Sequence, residues 1–195
     1  MKNSISAIIL SCCVSTAFAA DDFHFGIEGG LVASEIDVDD GAQSLANKTG
    51  RTIYYTRERG APSFRIFGTF PTSENVNIEI GYLNTSSIDV DFSASGTTDT
   101  INAAVEISGL DFGIKYNPKE SFYLKAGVHR YKIESNVTGQ IAGYTFVSSS
   151  ETGIGPFFGA GYQANEHLTV GINFLASIGG NSDNSASYAY VGYQF

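Results

Sequence analysis

Apolar side chains recur at every second position through eight separate stretches of this chain, and two is the side-chain period of a pleated strand. In residues 23–34, Phe23, Phe25, Ile27, Leu31 and Ala33 alternate with His24, Gly26, Glu28 and Gly30. Phe64, Ile66 and Phe70 do the same against Arg65 and Thr69, and Val76, Ile78, Ile80 and Tyr82 against Asn77, Glu79 and Gly81. The pattern returns at Leu110–Tyr116, Phe122–His129, Ile154–Tyr162, Leu168–Ile178 and Tyr188–Phe195. Val105 and Ile107 fall out of phase with the set that starts at Leu110, which predicts a bulge near Ser108 and Gly109. From Ala20 onward no apolar run approaches the ~20 residues of a membrane helix, so any membrane span must be built from strands closed on themselves.

The connections alternate in length. Pro71–Asn75, Asn117–Ser121 and Gln163–His167 are short and carry turn chemistry. Glu35–Pro62, Ser86–Ala104, Ile133–Glu151 and Gly179–Ser185 are longer. Short turns at one end and long loops at the other mark an outer-membrane barrel, with both chain ends on the short-turn side. A soluble sandwich or barrel also alternates, but hides its apolar face and shows water a charged one. Here the face opposite the apolar set is rich in glycine, including Gly26, Gly30, Gly81, Gly113, Gly127, Gly159 and Gly161, and only 16% of residues are charged. That suits the crowded interior of a narrow barrel. Phe23, Phe70, Tyr82, Tyr116, Phe122, Tyr162, Tyr193 and Phe195 lie at strand ends, as two aromatic girdles would require. The expectation is an all-β fold: one eight-stranded antiparallel up-and-down transmembrane β-barrel over residues 20–195.

Residues 1–19 read as a secretory signal: Lys2, an apolar run from Ile5 to Val14, and Ala17-Phe18-Ala19 before the expected cut. Ile9-Leu10-Ser11-Cys12 only loosely fits a lipoprotein signal, because Leu10 stands where a small residue is usual. Cys12 and Cys13 are the only cysteines and lie in this segment, so the exported part has no disulfide or thiolate metal site to offer. Without Lys2, ten basic residues face twenty acidic ones, which argues against nucleic acid as a partner. The acidic run Glu35 to Asp40, with Asp89 and Asp91, lacks calcium-loop spacing and reads as a solvated face.

The C-terminal stretch Ser187-Tyr188-Ala189-Tyr190-Val191-Gly192-Tyr193-Gln194-Phe195 resembles the end of the small OmpA-like outer-membrane β-barrels. Tyr123–Tyr131 and Gly155–Tyr162 are also similar to that family. The resemblance covers the whole exported chain. It implies a monomer in the outer membrane of a Gram-negative bacterium, bordered by lipid and lipopolysaccharide. It further implies that Tyr193 and Phe195 form the signal read by the barrel-assembly machinery. The fold hosts many roles, so it does not fix one.

The inward set holds six charges: Glu28, Glu79 and Asp111 against Arg65, Lys115 and Lys125. Buried charges persist only when paired, and counting residues from the short turns puts Glu79 level with Lys125 and Glu28 level with Arg65. The resemblance implies an interior ion-pair network of this kind. Of three histidines, His24 and His167 lie at the short-turn end and His129 faces inward; a set of His129 with a loop serine and an Asp is possible, but no spacing singles one out. No metal cluster or cofactor motif appears. The first long connection carries Arg51, Tyr54, Tyr55, Arg57 and Arg59, residue types common at interface hot spots, and is the candidate contact for an unknown surface ligand. The leading reading is a structural or surface-interaction barrel that is not an enzyme. A narrow porin-like channel and an outer-membrane lipid-modifying enzyme are the alternatives.

Overall fold

The computed structural model describes residues 23–34, 38–119, 121–176 and 185–195. The expected signal at 1–19, the acids Glu35 and Asp37, the end of the seventh strand at Ser177 and Ile178, and the loop after it lie outside the described residues. The elements are β1 (His24–Ser34), α1 (Asp39–Thr49), β2 (Ile53–Arg57), β3 (Gly60–Ser73), β4 (Val76–Thr85) and β5 (Ile88–Ala94). They continue with β6 (Thr100–Lys119), β7 (Phe122–Gly139), β8 (Ser149–Gln163), β9 (Leu168–Ala176) and β10 (Ser185–Gln194).

Eight strands close a ring in the order β1, β3, β4, β6, β7, β8, β9, β10, with β10 paired back to β1 and every pairing antiparallel. Closure leaves the ring no free edge. Outside it, the alternating apolar residues stay exposed on strand after strand, as with Leu31, Phe64, Ile80, Leu110, Phe112, Leu124, Phe158, Ile172 and Val191. A belt of this extent far exceeds the apolar patches that soluble monomers tolerate, and a lipid bilayer is the solvent that suits it. On β6 it runs from Leu110 to Tyr116, about 20 Å at ~3.4 Å per residue, close to the ~25 Å band of outer-membrane barrels. Seven of the eight strand-end aromatics sit on the short-turn rim, where Phe23 pairs with Phe70 and Phe122 with Tyr162 at centroid distances of 4.8 and 5.4 Å. Only Tyr82 lies toward the other rim, so one girdle is built from these residues rather than two.

The expected bulge at Ser108 and Gly109 is absent. Both residues keep register with β4 and with β7, and the shifts fall instead at Pro71/Ser73 and Tyr116/Lys119, beside short turns. Val105 and Ile107 lie on the inward face with Asp111 and are buried. They are out of phase with Leu110 because β6 continues past the lipid belt, where the apolar face becomes the inner one.

The long connections are also more than loops. β6 forks: residues Ser108–Tyr116 pair with β4, while Thr100–Val105 pair with β5, which in turn pairs with β2. At the fork the Ile107 N–H donates to the Thr85 hydroxyl at 2.9 Å, satisfying a backbone group between the two ladders. α1 lies on the inner face of this extension. It buries Ala42 and Leu45, one turn apart, against Val90, Phe92, Ile101 and Ala103. Asp39 and Asp40 stand in its first turn and Lys48 in its last, each favourable for the helix dipole. Gly50 ends it at φ 65°, donating its N–H to the Ala46 carbonyl at 2.8 Å, a left-handed cap that glycine adopts at least cost. The long-connection end therefore carries a packed cap with a core of its own.

Candidate functional site

A plate of charged side chains crosses the lumen below the cap. Glu28 on β1 and Arg65 on β3 are register partners, and Arg65 Nη1 lies 3.1 Å from Glu28 Oε1. The same guanidinium reaches Glu79 on β4 at 2.8 Å and clasps Asp111 on β6 through both Nε, at 2.9 Å, and Nη2. Lys125 on β7 bonds Glu79 Oε1 at 2.8 Å and Glu28 Oε1 at 3.1 Å. Five strands thus meet through five side chains, each no more than 6% exposed. Phe67 lies under both cations, 5.2 Å from the Arg65 guanidinium carbon and 5.4 Å from Lys125 Nζ, and Tyr190 lies 5.3 Å from Lys125. Cation–π contact strengthens when water is excluded.

Gly81 makes room for the plate. A Cβ there would run into the Arg65 guanidinium. Glycine on the inner wall is thus the space that Arg65 occupies, as the glycine-rich face suggested.

Lys115 does not join the plate, contrary to the sequence expectation. It has no carboxylate within ion-pair distance among the described residues and rests 4.5 Å from the centroid of the Tyr123 ring. It pairs across the ladder with Lys125 and Asn77, and Glu79 stands one pleat higher, already held by Arg65 and Lys125. An aromatic face is the electron-rich surface that remains.

Above the plate the inward face turns apolar: Val32, Leu83, Ile107, Phe157, Leu175 and Tyr188 form one buried cluster. In the sequence, Val105 and Ile107 fall out of phase with Leu110 and point to a bulge, which hides this layer. The consistent alternation of β6 from Ile101 to Lys115 was the signal that marks it.

His129 sits at the border of the two layers, 2% exposed, its ring stacked on Tyr131 at 6.1 Å, with neither ring nitrogen hydrogen-bonded. His167 lies in a short turn at Gln194, with Nδ1 2.9 Å from the Gln194 carbonyl, and His24 opens β1. The three rings are not brought together. Phe195 follows β10, donates its N–H to the Phe25 carbonyl at 2.8 Å and lies edge-on to Tyr193 at 5.0 Å. Three of the five candidate contact residues are on a strand rather than a loop. Tyr54, Tyr55 and Arg57 lie on β2, the outermost strand of the extension, with Arg51 before it and Arg59 after it. Arg51 is tied to the Ser95 carbonyl at 2.6 Å, and Tyr55 donates to Asp39 at 2.5 Å.

A closed eight-stranded ring, apolar outside and packed with charge and aromatics inside, defines a small outer-membrane β-barrel. The outer membrane protein beta-barrel domain family matches residues 4–195, and the chain belongs to that family. A comparison with curated protein sequences gave no match. Among solved structures the chain is similar to Ail of Yersinia pestis in complex with the heparin analogue sucrose octasulfate, at 13% identity and TM-score 0.52, covering 89% of this chain and 99% of that one. It is also similar to the neisserial surface protein NspA, at 11% identity and TM-score 0.44 over 88% and 95% of the chains. OprG of Pseudomonas aeruginosa is similar at 13% identity and TM-score 0.41 over 89% and 96%. The protein is an outer-membrane barrel by family. Its short turns therefore face the periplasm and its cap the outside.

Proposed function

We propose that the protein is a closed outer-membrane barrel that works by contact at its extracellular cap, without catalysis and without conducting solutes. The observation that carries this reading is the cap itself: a helix and two extra strands with a dedicated core, standing on a filled lumen. Order at a loop end costs conformational entropy, and a preorganised surface recovers it on binding. Tyr54 is 59% exposed on β2 and Arg59 is exposed at its end, the residue types that anchor interfaces. The ion-pair plate and the apolar layer above it speak against a channel. His129, 2% exposed and hydrogen-bonded to no serine or carboxylate among the described residues, speaks against a lipid-modifying enzyme.

The test is a binding screen of the nanodisc-embedded protein against polysaccharides and soluble proteins. Heparin is included because a heparin analogue is bound in the Ail complex. Binding lost in a Tyr54→Ala, Arg59→Ala variant supports the cap as the contact. Binding that survives the double change, or an entirely silent screen, overturns it.

A further inference from the structure

Two cavities lie one above the other along the inner faces of β6 and β7. The upper, about 170 Å³, is lined by Val90, Phe92, Ala103, Val105, Val137 and Phe146, with Val38 and Gly41 of the α1 segment on one side. Val147 stands at its rim, 87% exposed. The lower, about 30 Å³, is lined by His129, Tyr131, Ile133, Ile107, Leu175 and Ala186. Val105 above and Ile107 below are successive inward residues on β6, as are Ser135 and Ile133 on β7, so the cavities are one pleat apart. Beneath them the lumen is shut, because His129 borders Asp111 of the ion-pair plate.

We infer that these cavities form one blind vestibule, open beside Val147, that binds a small apolar molecule carrying a single hydrogen-bonding group. Three observations fix that chemistry. The upper cavity has the volume that accepts a benzene-sized ring, and its walls are mostly apolar side chains, with Ser135 among them. The lower cavity has room for one polar group, about the volume of one water. Its floor presents a histidine 2% exposed whose Nδ1 and Nε2 have no partner among the described residues. A buried ring with two idle nitrogens is costly unless something bonds it, and here it lines the cavity that would hold the bonding group. The ring of the ligand fills the upper chamber and its donor or acceptor points down to His129.

Indole and naphthalene are matched probes, similar in shape, with an N–H on the first alone. Methyl-detected NMR of the protein in nanodiscs is expected to show saturable shifts at Ala103, Val105 and Val137 with indole, and shifts in the His129 ring. Naphthalene should bind about fivefold more weakly, the worth of one hydrogen bond. His129→Leu should erase that preference while leaving naphthalene bound. Val105→Phe should fill the chamber and abolish both, with heat-modifiable migration showing the barrel intact. Shifts that do not saturate, or that persist in Val105→Phe, mean partition into lipid and overturn the site. Equal binding of the two probes to the parent protein, with water alone on His129, overturns the polar floor.

Discussion

Lys115 and Lys125 face each other across the β6–β7 ladder, yet only Lys125 has carboxylates to bind. Removing it leaves Glu28, Glu79 and Asp111 to share the single guanidinium of Arg65. Breaking a buried pair by deleting one partner costs about 3–5 kcal/mol. Lys125→Met is therefore expected to lower urea stability in lipid vesicles by that order, and Lys115→Met by clearly less, since it abandons only a cation–π contact. Equal urea midpoints for the two variants would refute this ordering. A second pair of changes tests the space around Arg65. Gly81→Ala places a methyl against the guanidinium and should cost about 1–3 kcal/mol through overpacking. Gly29→Ala, with nothing within 4 Å on the lipid side, should stay within about 0.5 kcal/mol. Unfolding curves for the two, measured side by side, decide whether that glycine makes room for the plate or merely lines a wall.

At the scale of elements, α1 depends on its packing more than on its ends. Its N-cap Val38 makes no side-chain cap bond, so Leu45, 2% exposed, is the main anchor. Leu45→Ala should cost the cap about 2–5 kcal/mol. Hydrogen exchange should quicken in α1 and β2 and leave β8 and β9 unchanged, because the barrel ladders do not run through α1. Exchange rising evenly around the ring would show instead that cap and barrel unfold together. The contrast explains what was readable in the sequence. Strands in lipid alternate apolar against small or polar residues, and all eight ring strands announced themselves this way, as did the levels that set Glu28 beside Arg65 and Glu79 beside Lys125. α1 and β2 follow no such rule. A helix that buries only Ala42 and Leu45 shows too narrow a stripe to stand out in a charged stretch, though Asp39, Asp40, Lys48 and Gly50 were its end signals. β5 and the outer halves of β6 and β7 alternate in the opposite sense, because beyond the bilayer the apolar side must turn inward. The place of Lys115 was not legible either: whether a cation finds a carboxylate or an aromatic ring depends on tilt and reach that residue counting does not supply.

For the whole molecule, closure comes from layers of different chemistry. An eight-stranded ring leaves a lumen only as wide as its inward side chains. The charged plate fills one height; Val32, Leu83, Phe157 and Leu175 fill the next; the cap covers both. If the plate alone were the seal, losing one of its cations would let ions through, since water enters readily where charges are left unpaired. With an apolar layer above it, the same loss weakens the fold and admits nothing, because an ion at Phe157 would shed its hydration shell against hydrocarbon. The parent protein in planar bilayers is thus expected to show no stable unit conductance, and Lys125→Met, although less stable, to stay equally silent. Steady unit openings in Lys125→Met alone would assign the seal to the ion pairs, and openings in the parent would make the protein a channel. Adding Phe157→Ala to Lys125→Met removes the ring that lies against Gly113 and Gly127 at the centre of the apolar layer. Conductance first appearing in that double variant is the outcome that a barrel sealed in layers requires.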